Sequence, residues 1–178
     1  LPFAETQAGK GALVSDHPLN MGGVGVTGGM AANQLAPQAD LVIGVGTRLT
    51  DFTTGSKALF SHPDVEFLLL NVAEFDALKL DATALIADAR TGLQALTHSL
   101  REYRSGWGEE IAQAKAAWHD ECRRLWERQW RPDEAPEVAG HLDAQLTEYG
   151  ETLNTRLTQT RVLGLINQHV EDNAIVVG

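Results

Sequence analysis

The chain has 178 residues, a formal net charge of −10 and a pI of about 4.9, with 43% hydrophobic and 21% charged residues. This composition is globular rather than disordered, and a chain of this size can bury a core without disulfides. The acidic balance argues against a nucleic-acid backbone or an anionic membrane as the main partner, since both need a basic face. No apolar run approaches the roughly 20 residues of a membrane span. The single Cys122 cannot form an internal disulfide, which fits a reducing, cytoplasmic setting.

Leu1-Pro2-Phe3-Ala4 reads as the tail of a strand, and Ile175-Val176-Val177-Gly178 stops inside another apolar run. Both ends are therefore expected to be cut from a longer protein. Residues 5–29 read as a polar, glycine-rich segment carrying the turn signal Asp16-His17-Pro18. A short helix is expected over Met30–Ala36, with Pro37 near its end. Buried strands are expected over 41–46 and 67–72, with a helical turn over 55–61 between them. Two buried apolar runs with a helical connection form the repeating unit of a parallel sheet. Glu74–Leu80 reads as a short helix and Leu85-Ile86-Ala87 as a third buried strand. Asp88 is placed to cap a helix from Ala89 to about Tyr103, with Leu93, Leu96 and Leu100 on one face. From Trp107 to Trp130 the pattern is a long helix, with Ile111, Ala114, Trp118, Cys122 and Leu125 in one stripe that Trp126 and Trp130 extend. Such a dense aromatic stripe needs a partner, and part of that partner is expected to lie outside this chain. Residues 131–157 read as a polar linker. Thr158 reads as the N-cap of a helix carrying Val162, Leu163, Leu165 and Ile166.

The pattern Gly23-Val24-Gly25-Val26-Thr27-Gly28 matches the dinucleotide fingerprint letter for letter. That chemistry requires the glycines to follow a strand directly, whereas here they are expected to follow the loop Asp16–Asn20, so close packing is the simpler reading. Gly44-Val45-Gly46-Thr47-Arg48-Leu49-Thr50-Asp51 is the more informative stretch. It places an arginine and an aspartate just past a strand's carboxyl end, where open α/β sheets hold ligands. Arg48 could grip a phosphate or carboxylate in bidentate fashion, or pair locally with Asp51. His119 and Cys122, three apart on a helix, make one edge of a metal site with no second pair. Gly-x-Ser-x-Gly, a phosphate loop and Cys-x-x-Cys are all absent from the sequence. The chain thus offers no acid, base or nucleophile set of its own.

The run Ala39-Asp40-Leu41-Val42-Ile43-Gly44-Val45-Gly46-Thr47-Arg48 resembles the central-domain signature of thiamine-diphosphate enzymes of the acetolactate synthase type. His17-Pro18-Leu19-Asn20-Met21-Gly22 and Ala87-Asp88-Ala89 resemble it too. The segments Ala4–Leu13, Asp51–Ser56 and Asn71–Ala77 are similar to a branch of that family that hydrolyses a C–C bond of a cyclic diketone in inositol catabolism.

The resemblance implies an α/β fold, a Rossmann-like parallel sheet with helices on both faces, followed by a helical linker. It divides the chain into a central domain over 1–104 lacking its first strand and helix, a helical segment and linker over 105–157, and the start of a diphosphate-binding domain over 158–178. The family's catalytic glutamate lies upstream and its magnesium-holding Gly-Asp-Gly motif downstream. No catalytic or metal residue is therefore expected here, nor bound thiamine diphosphate or Mg²⁺, which belong to the full-length enzyme. In members that bind FAD, positions matching Gly25, Thr27, Gly46, Arg48, Asp51 and Asp88 lie near the nucleotide. These form a candidate nucleotide site, or the relic of one. Asn71 and Ala73 stand where generic members carry acidic residues, which argues against FAD. Two other readings remain: an acetolactate synthase-like or other 2-oxo-acid decarboxylase domain, and an FAD- or ADP-binding module. The expected partners are flanking domains of the same chain and, in the full enzyme, further copies, with neither nucleic acid nor membrane.

Overall fold

The computed structural model of the protein describes residues 1–129, 148, 157–171 and 173–175. The chain divides into two compact units, Leu1–Trp118 and His119–Gly178.

The first unit is built on parallel strands. β1 (Phe3–Glu5) pairs with β2 (Asn20–Gly23), and β3 (Leu41–Val45), β4 (Glu66–Asn71) and β5 (Thr83–Ile86) form a sheet in the order β3-β4-β5. β4 lies in the middle, and two of its three consecutive leucines, Leu69 and Leu70, are fully buried. Successive side chains of a strand face opposite sides of the sheet, so burial of both requires cover on both faces. This explains the unbroken apolar run. On one face lies α4 (Ala89–Ser99), whose Gly92 sits over Leu70 so closely that a Cβ there would come within 2.6 Å of Leu70 Cδ2. Asp88 caps α4 as expected, accepting from Arg90 N at 3.0 Å and Thr91 N at 3.2 Å. The core cluster packs β2 and α1 (Met30–Leu35) against the start of α5 (Glu109–Glu127). Met21, Ala31, Ala32 and Leu35 meet Ile111 and Ala114 there, with Trp107 and Trp118 against them. The stripe read from the sequence is therefore the packed face of α5, at least as far as Trp118. Lys115 ties the same helix to the loop before β2, donating to His17 O at 2.8 Å and Pro18 O at 3.3 Å.

Several elements depart from expectation for local reasons. The helical turn expected over 55–61 lies earlier, as α2 (Asp51–Thr54), because left-handed Gly55 (φ +56°) stops it. α3 (Glu74–Ala77) is shorter than the expected helix, since Leu80 and Asp81 both adopt left-handed backbone. α4 ends at Ser99 rather than Tyr103. β5 stands at the end of the strand order, so Ile86 is exposed rather than buried.

In the second unit, the end of α5 meets α6 (Gln159–His169). Thr158 caps α6 by accepting from Arg161 N at 3.1 Å, and its hydroxyl donates to Arg128 O at 3.0 Å. Arg161 donates to Trp126 O at 2.9 Å, and a Cβ on Gly164 would lie 2.5 Å from Trp126 Cβ. Trp126 thus has a partner within the chain. Trp130, the linker apart from Glu148 and Leu157, and the apolar residues Val176 and Val177 lie outside the described residues.

Candidate functional site

Because β3, β4 and β5 run parallel, the turns that follow them share one edge of the sheet. That edge carries Gly46, Arg48 and Asp51 after β3, Asn71 and Ala73 at the end of β4, and Asp88 after β5. The turn after β2 docks on the segment after β3, with Val26 N donating to Phe52 O at 2.8 Å. This contact brings Gly25 against Phe52 and Thr53. Asp88 is set apart, beyond the intervening β4.

The glycine fingerprint has a different context from the expected one. β2 runs over Asn20–Gly23, so the glycines do follow a strand and do lead into a helix. Asn-Met-Gly-Gly carries no β-branched or alternating pattern, so nothing local marks this strand. Yet the loop's donors are already spent. Val24 N bonds to Glu5 O, Gly25 N to Asn33 Oδ1, Val26 N to Phe52 O, Gly28 N to Gly25 O and Gly29 N to Gly23 O, all between 2.8 and 3.0 Å. A pyrophosphate cradle needs such N–H groups aimed at the ligand. Asn33 also returns a bond, its amide donating to Gly25 O at 2.8 Å. Gly25 itself has φ +112° and lies against the next turn: a Cβ would collide with the Phe52 carbonyl and approach Thr53 Cα to 2.9 Å. The glycines serve close packing between two turns.

The turn after β3 is arranged otherwise. Gly46 (φ +63°) turns the chain, with its N–H on Leu70 O at 2.9 Å. Arg48 and Asp51 are both exposed and form no ion pair with each other, so the local pairing considered for them is not made. Among the described residues the Arg48 guanidinium has no hydrogen-bond or ionic partner, although its carbonyl accepts from Lys79 Nζ at 3.3 Å. Lys79 also pairs with Asp76 at 2.8 Å and stands 5.3 Å from the centre of the Phe75 ring. The same edge exposes Phe52 (65%), Val72 (74%) and Phe75 (80%). Asp88 has its carboxylate engaged in the α4 cap.

Asn71 is the residue whose role the sequence did not disclose. Its buried side chain joins two turns: Nδ2 donates to Thr47 O at 3.2 Å and Oδ1 accepts from Ala73 N at 3.0 Å. In a dinucleotide-binding sheet an acidic residue near this place accepts from a ribose hydroxyl. Here both halves of the amide are used internally.

Elsewhere, His119 and Cys122 do not assemble a metal site. Among the described residues no group of three or more His, Cys, Asp and Glu side chains is placed to hold an ion. Cys122 is half-buried; burial, and then the neighbouring Glu121 charge, push its thiol above its ordinary pKa. These donors do not fit thiamine diphosphate with a divalent cation, which demands a cluster of hard oxygen ligands.

The fold and its carboxyl edge define a class. The family profile described as thiamine pyrophosphate enzyme, central domain, matches residues 1–96, and the chain belongs to that family. Over its whole length it is 54% identical to the 3D-(3,5/4)-trihydroxycyclohexane-1,2-dione hydrolase of Geobacillus thermodenitrificans (strain NG80-2). It is likewise 54% identical to the enzyme of that name from Bacillus cereus (strain AH820) and 53% identical to that of Bacillus thuringiensis (strain Al Hakam). In each comparison the match covers 100% of this chain and 28% of the relative. Among the described residues no helix is long and apolar enough to cross a membrane.

Proposed function

We propose that this chain is the central scaffold of a longer thiamine-diphosphate-dependent enzyme, a C–C hydrolase that opens a cyclic diketone in inositol catabolism. The observation that carries this reading is identity at 54% through all 178 residues, well past the 1–96 span of the family match. In this reading the cofactor supplies the carbanion chemistry. Its Mg²⁺ and the activating glutamate sit in flanking domains, and the enzyme is a cytoplasmic homo-oligomer. The present chain holds those domains in place through residues 1–104, the helical segment and linker 105–157, and the beginning of the diphosphate-binding domain at 158–178. The packing of Ile111 and Ala114 into the first unit's core supports a scaffold in which α5 belongs partly to the central domain. The test is the full-length protein supplied with thiamine diphosphate, Mg²⁺ and the cyclic dione. Ring-opened product is expected; turnover of pyruvate to acetolactate, with none of the dione, would instead favour a synthase.

A second reading rests on Arg48. An unpartnered guanidinium on the same sheet edge as the exposed rings of Phe52 and Phe75 suits an anion carrying a flat group. In this reading Gly25, Thr27, Gly46, Arg48, Asp51 and Asp88 frame a nucleotide site or its relic, with ADP rather than FAD as the ligand to try. The spent glycine N–H groups and the internal use of Asn71 speak against FAD. Calorimetric titration of ADP and FAD, with Arg48→Ala as control, decides it. Saturable FAD binding would overturn the preference for ADP.

A further inference from the structure

A cleft of about 270 Å³ opens on the first unit, lined by Thr54, Lys57, Phe60, Phe67, Leu80 and Asp81. Phe67 is the second residue of β4 and Asp81 lies two residues before β5, so the cleft lies toward the amino-terminal ends of those strands. None of these residues belongs to the candidate nucleotide site.

Three features set the cleft apart. Its apolar wall is an edge-to-face aromatic pair, Phe60 and Phe67, with ring centres 6.0 Å apart at 90°. Its other lining residues include one cation and one anion. Among the described residues neither the Lys57 ammonium nor the Asp81 carboxylate has a hydrogen-bond or ionic partner, and they do not pair with each other. Finally, the backbone around it is costly. Ser56 (φ +54°), Lys57 (+71°), Leu80 (+58°) and Asp81 (+54°) account for four of the five left-handed non-glycine residues described. Lys57 is held in that conformation by its N–H on the Thr54 hydroxyl at 3.1 Å. Strained backbone of this kind gathers where a surface is shaped for use. Here it brings opposite charges to one apolar cleft from two separate segments.

We infer that this cleft binds a small zwitterion with a flat apolar body, of the α-amino-acid class. Lys57 receives the carboxylate, Asp81 receives the ammonium, and the ring pair receives the side chain. The volume lies near the lower end of ligand pockets and suits a molecule of this size. The inference does not depend on the thiamine-diphosphate reading, because no residue of the cleft is asked to serve that chemistry.

The test is titration of L-phenylalanine into the full chain by calorimetry, with amide chemical shifts locating the site. A ligand this small is expected to bind with a dissociation constant on the order of a millimolar, shifting amides in 54–60 and 79–83. Benzoate and 2-phenylethylamine, each carrying one of the two charges, should bind about tenfold more weakly. Asparagine tolerates left-handed backbone, so Lys57→Asn and Asp81→Asn keep the fold. Lys57→Asn should weaken phenylalanine and benzoate but not the amine; Asp81→Asn should weaken phenylalanine and the amine but not benzoate. A thermal melt matching the parent confirms that each variant is folded. Absence of saturable binding, shifts located elsewhere, or equal affinity for all three probes would overturn the inference.

Discussion

Two turns leave neighbouring parts of the same unit with similar glycine content and opposite character. The turn after β2 matches a nucleotide fingerprint letter for letter, yet five of its N–H groups are donated within the protein. The turn after β3 matches no fingerprint, yet it presents an arginine without a partner among the described residues. Glycine spacing records only that backbone must come close to something. Whether that something is a phosphate or another turn depends on where the N–H groups point, and that is fixed by residues far along the chain. Asn33 and Phe52 decide it here.

The sharpest way to break this comparison is Gly25→Ala. The new Cβ meets the Phe52 carbonyl and the φ of +112° excludes it from ordinary L-residue backbone. A loss of about 3 kcal/mol or more in urea unfolding is expected; a loss below about 1 kcal/mol would mean that the two turns are not locked together. Asn71→Ala comes next. It strands Thr47 O and Ala73 N at a buried position, for a loss of about 2 kcal/mol. Asn33→Ala removes both bonds to Gly25 from a less buried site, for about 1–2 kcal/mol. Arg48→Ala should change stability by no more than about 0.5 kcal/mol, since among the described residues none bonds to its guanidinium. It should abolish any ADP binding. A large stability loss there would place Arg48 in the scaffold and erase the contrast between the turns.

The smallest effect concerns Cys122. Its folded pKa is raised, so the neutral thiol is favoured in the native state. The associated stability is fully present below the ordinary thiol pKa and is lost as pH rises through the folded value. Cys122→Ala should flatten the alkaline limb of the stability profile slightly; an unchanged profile would contradict the shift.

Much of the fold was legible because it rests on patterns that local sequence carries. The apolar runs at 41–45 and 66–71 appear as strands within a residue of the expected limits, and Asp88 and Thr158 cap the helices they precede. The stripe from Ile111 to Trp118 is packed, as its spacing required. What stayed hidden depends on tertiary partners. β2 lacks strand composition and exists because β1 lies beside it. Left-handed Gly55 ends a helical turn at 51–54, earlier than the expected 55–61, and left-handed Leu80 lies past the shortened helix at 74–77. At the site, Arg48 and Asp51 could be named from position, but their failure to pair could not. The amide bridges of Asn33 and Asn71 span sequence separations of 8 and 24 residues, and no local pattern marks them.

Asn71 has a consequence for how this edge could change over generations or in the laboratory. Replacing it with aspartate would keep an acceptor for Ala73 N but set a second carboxylate oxygen against the Thr47 carbonyl, two acceptors with no proton between them. An acid at this position is therefore not one codon away from a working ribose contact. The turn over 46–50 would have to move first, so the two changes must arrive together. A designer seeking to install a nucleotide here should rebuild that turn before touching the strand that follows it.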